Sequence, residues 1–382
     1  MRIAINTRLL VKGKMDGIGW FTYETTRRIV ASHPEHTFYL LFDRPPTKEY
    51  LFNDNPKIKN VVPVVLCPPA RHPILWWMFF ELSVPLALKR YKIDLFVTPD
   101  GFMPLHSKVP TLAVVHDLNF EHASDNLRPS HQRYMTRFFP RYARRANRIA
   151  TVSSYSKEDI ASTYHIGQDK IDVVYDGAHE RYRPHSEEEK SDVRKRFTNG
   201  CPYIIFISTI LKRKNLANLL LAFDHVKDTG TKGLKLIVVG SRVWWQDELA
   251  EAYDNMHHRD DVLMPGRVEP EDLAALLSAS EALVYPSYFE GFGIPILEAM
   301  YAETAVIASR TTSMPEVGGD AVLYIDPADV DDIAHAIRQL ENTDNALREE
   351  LIAKGRVQRE KFSWEQTAHL LWDSMMKTTE ES

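Results

Sequence analysis

Short, almost continuously apolar runs punctuate the first half of the chain: RIAIN (2–6), TFYLLF (37–42), NVVPVVL (60–66), IDLFVTP (93–99), TLAVVHD (111–117), RIATVS (148–153) and IDVVYDG (171–177). Runs this short, rich in β-branched and aromatic residues and apolar on both faces, predict buried parallel strands. Longer stretches with helical spacing, such as WFTYETTRRIVAS (20–32), lie between some of them. The alternation breaks at the polar stretch HERYRPHSEEEKSDVRKRFTNGCP (179–202) and then restarts with YIIFIST, LKLIVVG, DVLMPG, EALVYPS, TAVIAS and DAVLYID. Strands alternating with helices point to an α/β fold with doubly wound parallel sheets.

Two Rossmann-like domains facing across a central cleft are therefore expected: residues 1–178, a linker over 179–200, and residues 201–360. Residues 361–382 read as a C-terminal helix, with a return to the first domain as one course for it. Ligands of such folds bind at the carboxyl ends of the strands. The 382 residues, 44% hydrophobic and 26% charged, suit two globular domains. No apolar run approaches the ~20 residues of a membrane span. The start MRIAINTRLL lacks the zones of a secretory signal, and Cys67 and Cys201 form no metal or disulfide framework. A cytoplasmic setting is expected. Charge is split: residues 1–178 carry 24 Lys and Arg against 17 Asp and Glu, a net of +7, and the remainder 23 against 35, a net of −12. The basic half is expected to meet something anionic.

Four segments carry candidate chemistry. In YFEGFGIPILEAM (288–300), Glu290 and Glu298 flank a glycine turn between a strand and a helix. Amides of Phe292, Gly293 and Ile294 at a helix start favour an anion such as phosphate. Ionised carboxylates are pure acceptors, so the two glutamates suit hydroxyl groups, a sugar on one side of a diphosphate and a ribose on the other. The plainer reading is a joint whose acids favour the helix start. In ISTILKRKNL, Lys212, Arg213 and Lys214 stand where cations would stabilise a diphosphate leaving group, or form a solvated basic turn. Gly17 and Gly19, in a turn before a helix, form an incomplete dinucleotide fingerprint with Thr22 in place of the third glycine. His116 ends a buried strand and suits a sugar hydroxyl or a structural bond. Metal signals are poor: Asp329 and Asp331 read as helix-start acids, and His33, His36, His257 and His258 lack supporting ligands.

EGFGIPILEAMYAETAVIAS, followed by SMPEVGGDAVLYIDPAD, resembles the signature half of glycosyltransferase family 4, retaining enzymes with two Rossmann-like domains (the GT-B fold). ISTILKRKNL and VVYDGAHERYRP are similar to further family segments, with Asp176 where an asparagine usually stands. The resemblance implies a nucleoside diphosphate sugar as donor, no cofactor and no metal. Glu298 would hold the ribose diol and Glu290 the donor sugar, with amides from Phe292, Gly293 and Ile294. Lys214, helped by Arg213, would bind the diphosphate. His116 would contact the sugar near the reacting carbon, Gly17 and Gly19 would close over the phosphates, and Arg267 and Val268 would border the base. Many members carry a second basic residue where Ser208 and Thr209 stand, a place Arg213 would fill.

The expected activity is transfer of a hexosyl group to an acceptor hydroxyl in polysaccharide or glycolipid assembly, the acceptor being a glycan or lipid-linked saccharide. The alternatives are a sugar-nucleotide epimerase and a non-catalytic nucleotide-sugar binding protein. Residues 128–148 hold seven arginines and no acid, with Arg133, Arg137, Arg141, Arg145 and Arg148 at helical steps. They read either as a solvated or partly packed face, or as a contact for anionic lipid at the inner face of the cell membrane. The apolar ILWWMFFELSVPLAL (74–88) reads either as an aid to that contact or, because of Glu81 and Pro85, as a core element. Nucleic acid is not expected, since the second half is acidic.

Overall fold

The computed structural model describes the chain except residues 14, 53, 54, 56, 57, 123–126, 232, 343, 344, 381 and 382. It forms two units, Met1–Gly177 with Trp364–Ser382, and Ala178–Ser363.

In the first unit, β1 (Arg2–Asn6), β2 (Thr37–Phe42), β3 (Val61–Val65), β4 (Leu95–Thr98), β5 (Thr111–Val114), β6 (Arg148–Thr151) and β7 (Ile171–Val173) form one sheet in the order β3-β2-β1-β4-β5-β6-β7. Every pairing is parallel. All residues of β4, β5 and β6 are buried, which explains their unbroken apolar runs. The second unit repeats the plan with β8 (Tyr203–Ile207), β9 (Lys235–Val239), β10 (Val262–Gly266), β11 (Ala282–Tyr285), β12 (Ala305–Ser309) and β13 (Val322–Ile325), ordered β10-β9-β8-β11-β12-β13. In each sheet the strand order, not the strand direction, reverses once, between β1 and β4 and between β8 and β11. Such switch points open a crevice at the strand ends, so the residues leaving these four strands are the ones placed for ligands.

The first core centres on Phe102, whose ring lies 5.1 Å from Phe139, 5.2 Å from Trp76 and 5.6 Å from Phe80. The second packs Phe206, Leu219, Phe223, Ile333 and Ile337. The helix Trp364–Glu380 belongs to the first unit. Thr367 Oγ1 donates to the Tyr175 carbonyl at 2.6 Å, Ser374 Oγ to Asp172 at 2.7 Å, and Trp372 stacks on His33 at 3.5 Å.

Two expectations change here. The segment that Glu81 and Pro85 argued to be a core element runs as the helix Pro73–Met78, a π turn over Phe79–Ser83 and the helix Val84–Arg90. Pro85 has no amide to donate, and the wider turn absorbs that break. Only one side is core: Trp76, Phe79, Phe80, Val84 and Leu88 are buried, whereas Ile74, Trp77, Leu82 and Leu86 are exposed. The arginine face also differs. Arg148 lies in β6 and is buried against Asp172, with Nε and Nη2 each 2.9 Å from a carboxylate oxygen. Arg145 turns inward to the Ser107 carbonyl and to Asn147 Oδ1 at 3.4 Å. The helix Pro129–Arg145 exposes Arg133, Arg137, Arg141 and Arg144 instead.

Candidate active site

The switch point of the second sheet gathers three charges. β8 leads to a single 3-10 turn, Lys212–Lys214, stopped by Asn215 in the left-handed region (φ 59°). The Asn215 side chain donates to the carbonyls of Pro286 (3.1 Å) and Pro327 (2.6 Å), fixing this loop to the exit of β11. Lys214 is consequently buried, and its Nζ bonds the Glu290 carboxylate and the Tyr285 hydroxyl (2.9 Å). Arg213 reaches the same carboxylate at 3.3 Å and the Phe289 carbonyl at 2.8 Å. Burial would push the Glu290 carboxyl up, but the ammonium of Lys214 and the guanidinium of Arg213 outweigh it and bring the pKa down to about 2. Glu290 is therefore a carboxylate at neutral pH.

The loop beyond Glu290 is tied down at both ends. Ser313 Oγ donates to the carbonyls of Glu290 and Phe292, each at 2.9 Å, and the Glu290 amide donates to Thr312 Oγ1 at 3.2 Å. Gly293, with φ 103°, then turns the chain into the helix Ile294–Tyr301. That conformation needs a residue without a Cβ. Glu298 lies one turn into this helix, half-buried. Burial raises its pKa to about 7, against the opposing influence of the Tyr182 hydroxyl and the Arg181 charge. The helix start, Glu290 and the two cations thus occupy one strand-to-helix corner, and Glu298 stands one turn into the helix beside Tyr182 and Arg181.

In the first unit, His116 follows β5. Its Nε2 lies 2.9 Å from the Pro99 carbonyl, which can only accept, so Nε2 carries the proton. Burial lowers the imidazole pKa despite the Pro99 bond and nearby Asp117, Asp16 and Asp100, leaving Nδ1 as an acceptor. Gly17 and Gly19 lie inside the first turn of the helix Gly17–Ser32 rather than before it, and the Gly19 amide is spent on the Asp16 carboxylate at 3.0 Å. A Cβ at Gly19 would come within 3.1 Å of Met15 Cβ, so the glycine serves packing of this turn. At the first switch point, Asp100 accepts from Arg8 Nε (2.6 Å) and Asn6 Nδ2 (2.8 Å). Asp176 is buried, its Oδ1 has no hydrogen-bond partner among the described residues, and burial lifts its pKa to about 8.

Residues 15–182 match the family model Glycosyltransferase Family 4, and residues 187–358 match Glycosyl transferases group 1. O-antigen chain mannosyltransferase B of Escherichia coli is 33% identical over 281 residues, 73% of each chain. The chain belongs to glycosyltransferase family 4. A second relative of this glycosyltransferase, O-antigen chain mannosyltransferase RfbU of Salmonella typhimurium, is 26% identical over 293 residues, 76% of this chain and 77% of that one. Among solved structures, Anabaena HepE in complex with UDP-glucose superposes with a TM-score of 0.75 at 16% identity, covering 99% of this chain and 100% of that one. WaaG, a glycosyltransferase involved in lipopolysaccharide biosynthesis, gives 0.71 at 15% identity over 98% and 99%. These two likenesses show the GT-B fold.

The glycosyltransferase's other candidates stand on further elements of the second unit. Arg267 is exposed and Val268 half-buried just past β10. Asp329 Oδ1 accepts from the amides of Asp331 (2.9 Å) and Asp332 (3.1 Å), the work of a helix start. Among the described residues, the acid–histidine group close enough for a metal is Asp224, Asp228 and His257, and Asp224 there accepts from the amides of His257 (3.0 Å) and His258 (2.8 Å). Sequence reading passed over Arg181, Tyr182 and Tyr285. Arg181 and Tyr182 are an arginine and an aromatic inside a polar stretch read as linker, which was the available signal. Tyr285 looked like any aromatic at a strand end.

Proposed function

We propose that this glycosyltransferase transfers a mannosyl group from a nucleoside diphosphate sugar to an acceptor hydroxyl with retention of anomeric configuration, in O-antigen-type polysaccharide assembly. The observation that carries the donor reading is the convergence of Lys214 and Arg213 on Glu290 beside the Gly293 helix start. Mannose is chosen from what the O-antigen relatives transfer. In this reading the cations shift from Glu290 to the diphosphate, Glu290 and the amides of Phe292, Gly293 and Ile294 receive the sugar, and Glu298 receives the ribose diol. Arg267 and Val268 border the base. His116 offers Nδ1 to a sugar hydroxyl, and Gly17 and Gly19 belong to the phosphate side.

The acceptor oxygen attacks the anomeric carbon on the face the leaving group departs from. The bond from that carbon to the diphosphate oxygen breaks, and the acceptor proton passes to the departing phosphate. Lys214 and Arg213 stabilise the charge that develops. No side-chain base is required, and no divalent metal is expected. The acceptor is proposed to be a glycan or lipid-linked saccharide reached from the cytoplasmic side, with Arg133, Arg137, Arg141 and Arg144 toward an anionic membrane surface.

A thermal-shift screen of nucleoside diphosphate sugars tests the donor, since a ligand that binds the folded state raises the melting temperature with its occupancy. Stabilisation by a mannose donor, activity in excess chelator and an unchanged anomeric configuration by NMR are expected. Activity lost to chelation and restored by magnesium, or an inverted product, would overturn the corresponding part.

A further inference from the structure

We infer that the second domain carries a separate binding site for a small uncharged amphiphile, a compact apolar body bearing one oxygen, in a cavity under the helix Val330–Asn342. The cavity holds about 190 Å³ and lies between the starts of β8 and β11 and the later turns of that helix. Ile204, Leu234, Ala282, Ile307, Ile337 and Leu340, all buried, form its apolar wall. Every pairing in this sheet is parallel, so the strand starts share one edge and the strand ends the other. Lys214 and Glu290 follow the ends of β8 and β11, whereas the cavity stands at their starts. It is therefore placed for a ligand other than the sugar donor.

One end of the cavity is polar and incompletely satisfied. Arg348, in the first turn of the helix Ala346–Arg359, lines it together with Glu281. Arg348 Nη1 donates to Glu281 Oε2, and Arg194 Nη2 donates to Glu281 Oε1 at 3.1 Å. The Arg348 Nε–H is enclosed and has no acceptor among the described residues. A buried donor left unpaired costs more than an ordinary hydrogen bond gains, so this N–H asks for an oxygen. Glu341, exposed, lines the same cavity, and its Oε2 accepts from Thr231 Oγ1 at 2.8 Å. Two guanidiniums thus stand with two carboxylates, and a ligand charge of either sign would meet a like charge there. The fitting ligand is uncharged. A water molecule suits the space poorly, because a buried water needs several polar partners and six apolar side chains offer none. An engineered apolar cavity of about 150 Å³ holds benzene, so this one, at about 190 Å³, has room for about eight non-hydrogen atoms. A six-membered ring with a hydroxymethyl arm has that size. Its oxygen accepts from Arg348 Nε, and its hydroxyl hydrogen can go to a carboxylate of Glu281 or Glu341.

Methyl NMR of the full chain, labelled at the isoleucine δ1 carbons and titrated with benzyl alcohol, tests this. Saturable shifts largest at Ile204, Ile307 and Ile337 are expected. Toluene, which lacks the oxygen, should move the same methyls. Arg348→Lys keeps a cation for Glu281 but puts a methylene at the Nε position. It should weaken benzyl alcohol about tenfold, the worth of a hydrogen bond to a charged donor, and leave toluene unchanged. Benzylammonium and benzoate should each bind at least about tenfold more weakly than the alcohol, since burying a charge is costly. Ala282→Leu, which fills the cavity, should abolish the shifts, and if that variant does not fold, the comparison of alcohol with toluene in Arg348→Lys still decides. Adding a nucleoside diphosphate sugar should leave the affinity for benzyl alcohol unchanged. No saturable shift, shifts centred on other methyls, an alcohol affinity unaltered by Arg348→Lys, full binding to folded Ala282→Leu, or competition by the nucleoside diphosphate sugar would overturn the inference.

Discussion

Burial pushes Glu290 and Glu298 the same way, yet they end far apart. Lys214 and Arg213 bring Glu290 down to about 2, while Glu298, with only Tyr182 and Arg181 opposing, rises to about 7. A depressed carboxyl contributes stability that is present above about pH 4.5 and lost as pH falls toward 2. Removing one partner of a buried pair leaves the other uncompensated, so Lys214→Met is expected to cost about 3 kcal/mol in urea unfolding at pH 7 and to raise the Glu290 carboxyl, read by carbon-13 titration. For Glu298 the consequence is functional. A ribose contact is similar in ground and transition states, so Glu298→Ala should weaken donor binding more than it lowers turnover at saturating donor. Donor affinity should also climb with pH through about 7 as the carboxylate forms, a dependence absent from Glu298→Gln. Unchanged affinity in the alanine variant would remove Glu298 from the donor site. Asp176 follows the raised-pKa sign: its contribution is full below about pH 4 and is lost as pH rises through about 8. Asp176→Asn supplies a permanently neutral group of the same shape. Its melting temperature should exceed that of the unmodified protein at pH 9 and match it at pH 4.

At the scale of elements, the corner from β11 to the helix Ile294–Tyr301 depends on Gly293. An alanine there must adopt a left-handed φ of 103° and bring its Cβ to 3.3 Å from Ile296 Cδ1. Gly293→Ala should cost about 1–2 kcal/mol from the backbone conformation alone. It should also raise KM for the donor, because the amides of this turn are displaced together. A urea midpoint and donor KM equal to the parent's would show the turn to be tolerant. The elements themselves were legible. The strands were short apolar runs between polar punctuation, and the central ones are unbroken because both of their faces are buried. What pattern reading missed depends on which face an element shows. Arg145 and Arg148 continue the spacing of Arg133, Arg137 and Arg141, yet the helix ends at Arg145 and a strand begins at Arg148. The segment 73–90 is apolar on two sides, so composition could not tell the core side from the exposed one. Nor could it reveal that a π turn keeps the exposed side in register.

At the scale of the molecule, the helix Trp364–Glu380 completes the first unit from the far end of the chain. Phe21 meets Trp364 at 6.4 Å, Arg28 pairs with Glu365 at 2.8 Å, and Asp172 bonds Ser374. Ending the chain after Ser363 should therefore leave the second domain's thermal transition in place and lower that of the first. Scanning calorimetry would distinguish this from a loss shared equally by both. The pairing of Arg181 and Tyr182 with Glu298 is a long-range fact of the same kind. Nothing local in HERYRP announces it, since it arises only when the start of the second unit folds back beside its own later helix. The convergence of Lys214 and Arg213 on Glu290 was hidden likewise, although each loop could be recognised alone.

The return of that last helix also sets an order in time. As the chain is synthesised, the second domain has all its strands and helices before Trp364 is made, whereas the first domain, begun earliest, stays open. Until then Asp172, the Tyr175 carbonyl and the ring of Phe21 lack partners that arrive only after the whole second domain has been made. Contacts this distant in sequence close slowly. The half of the enzyme that starts folding first is therefore the half that finishes last.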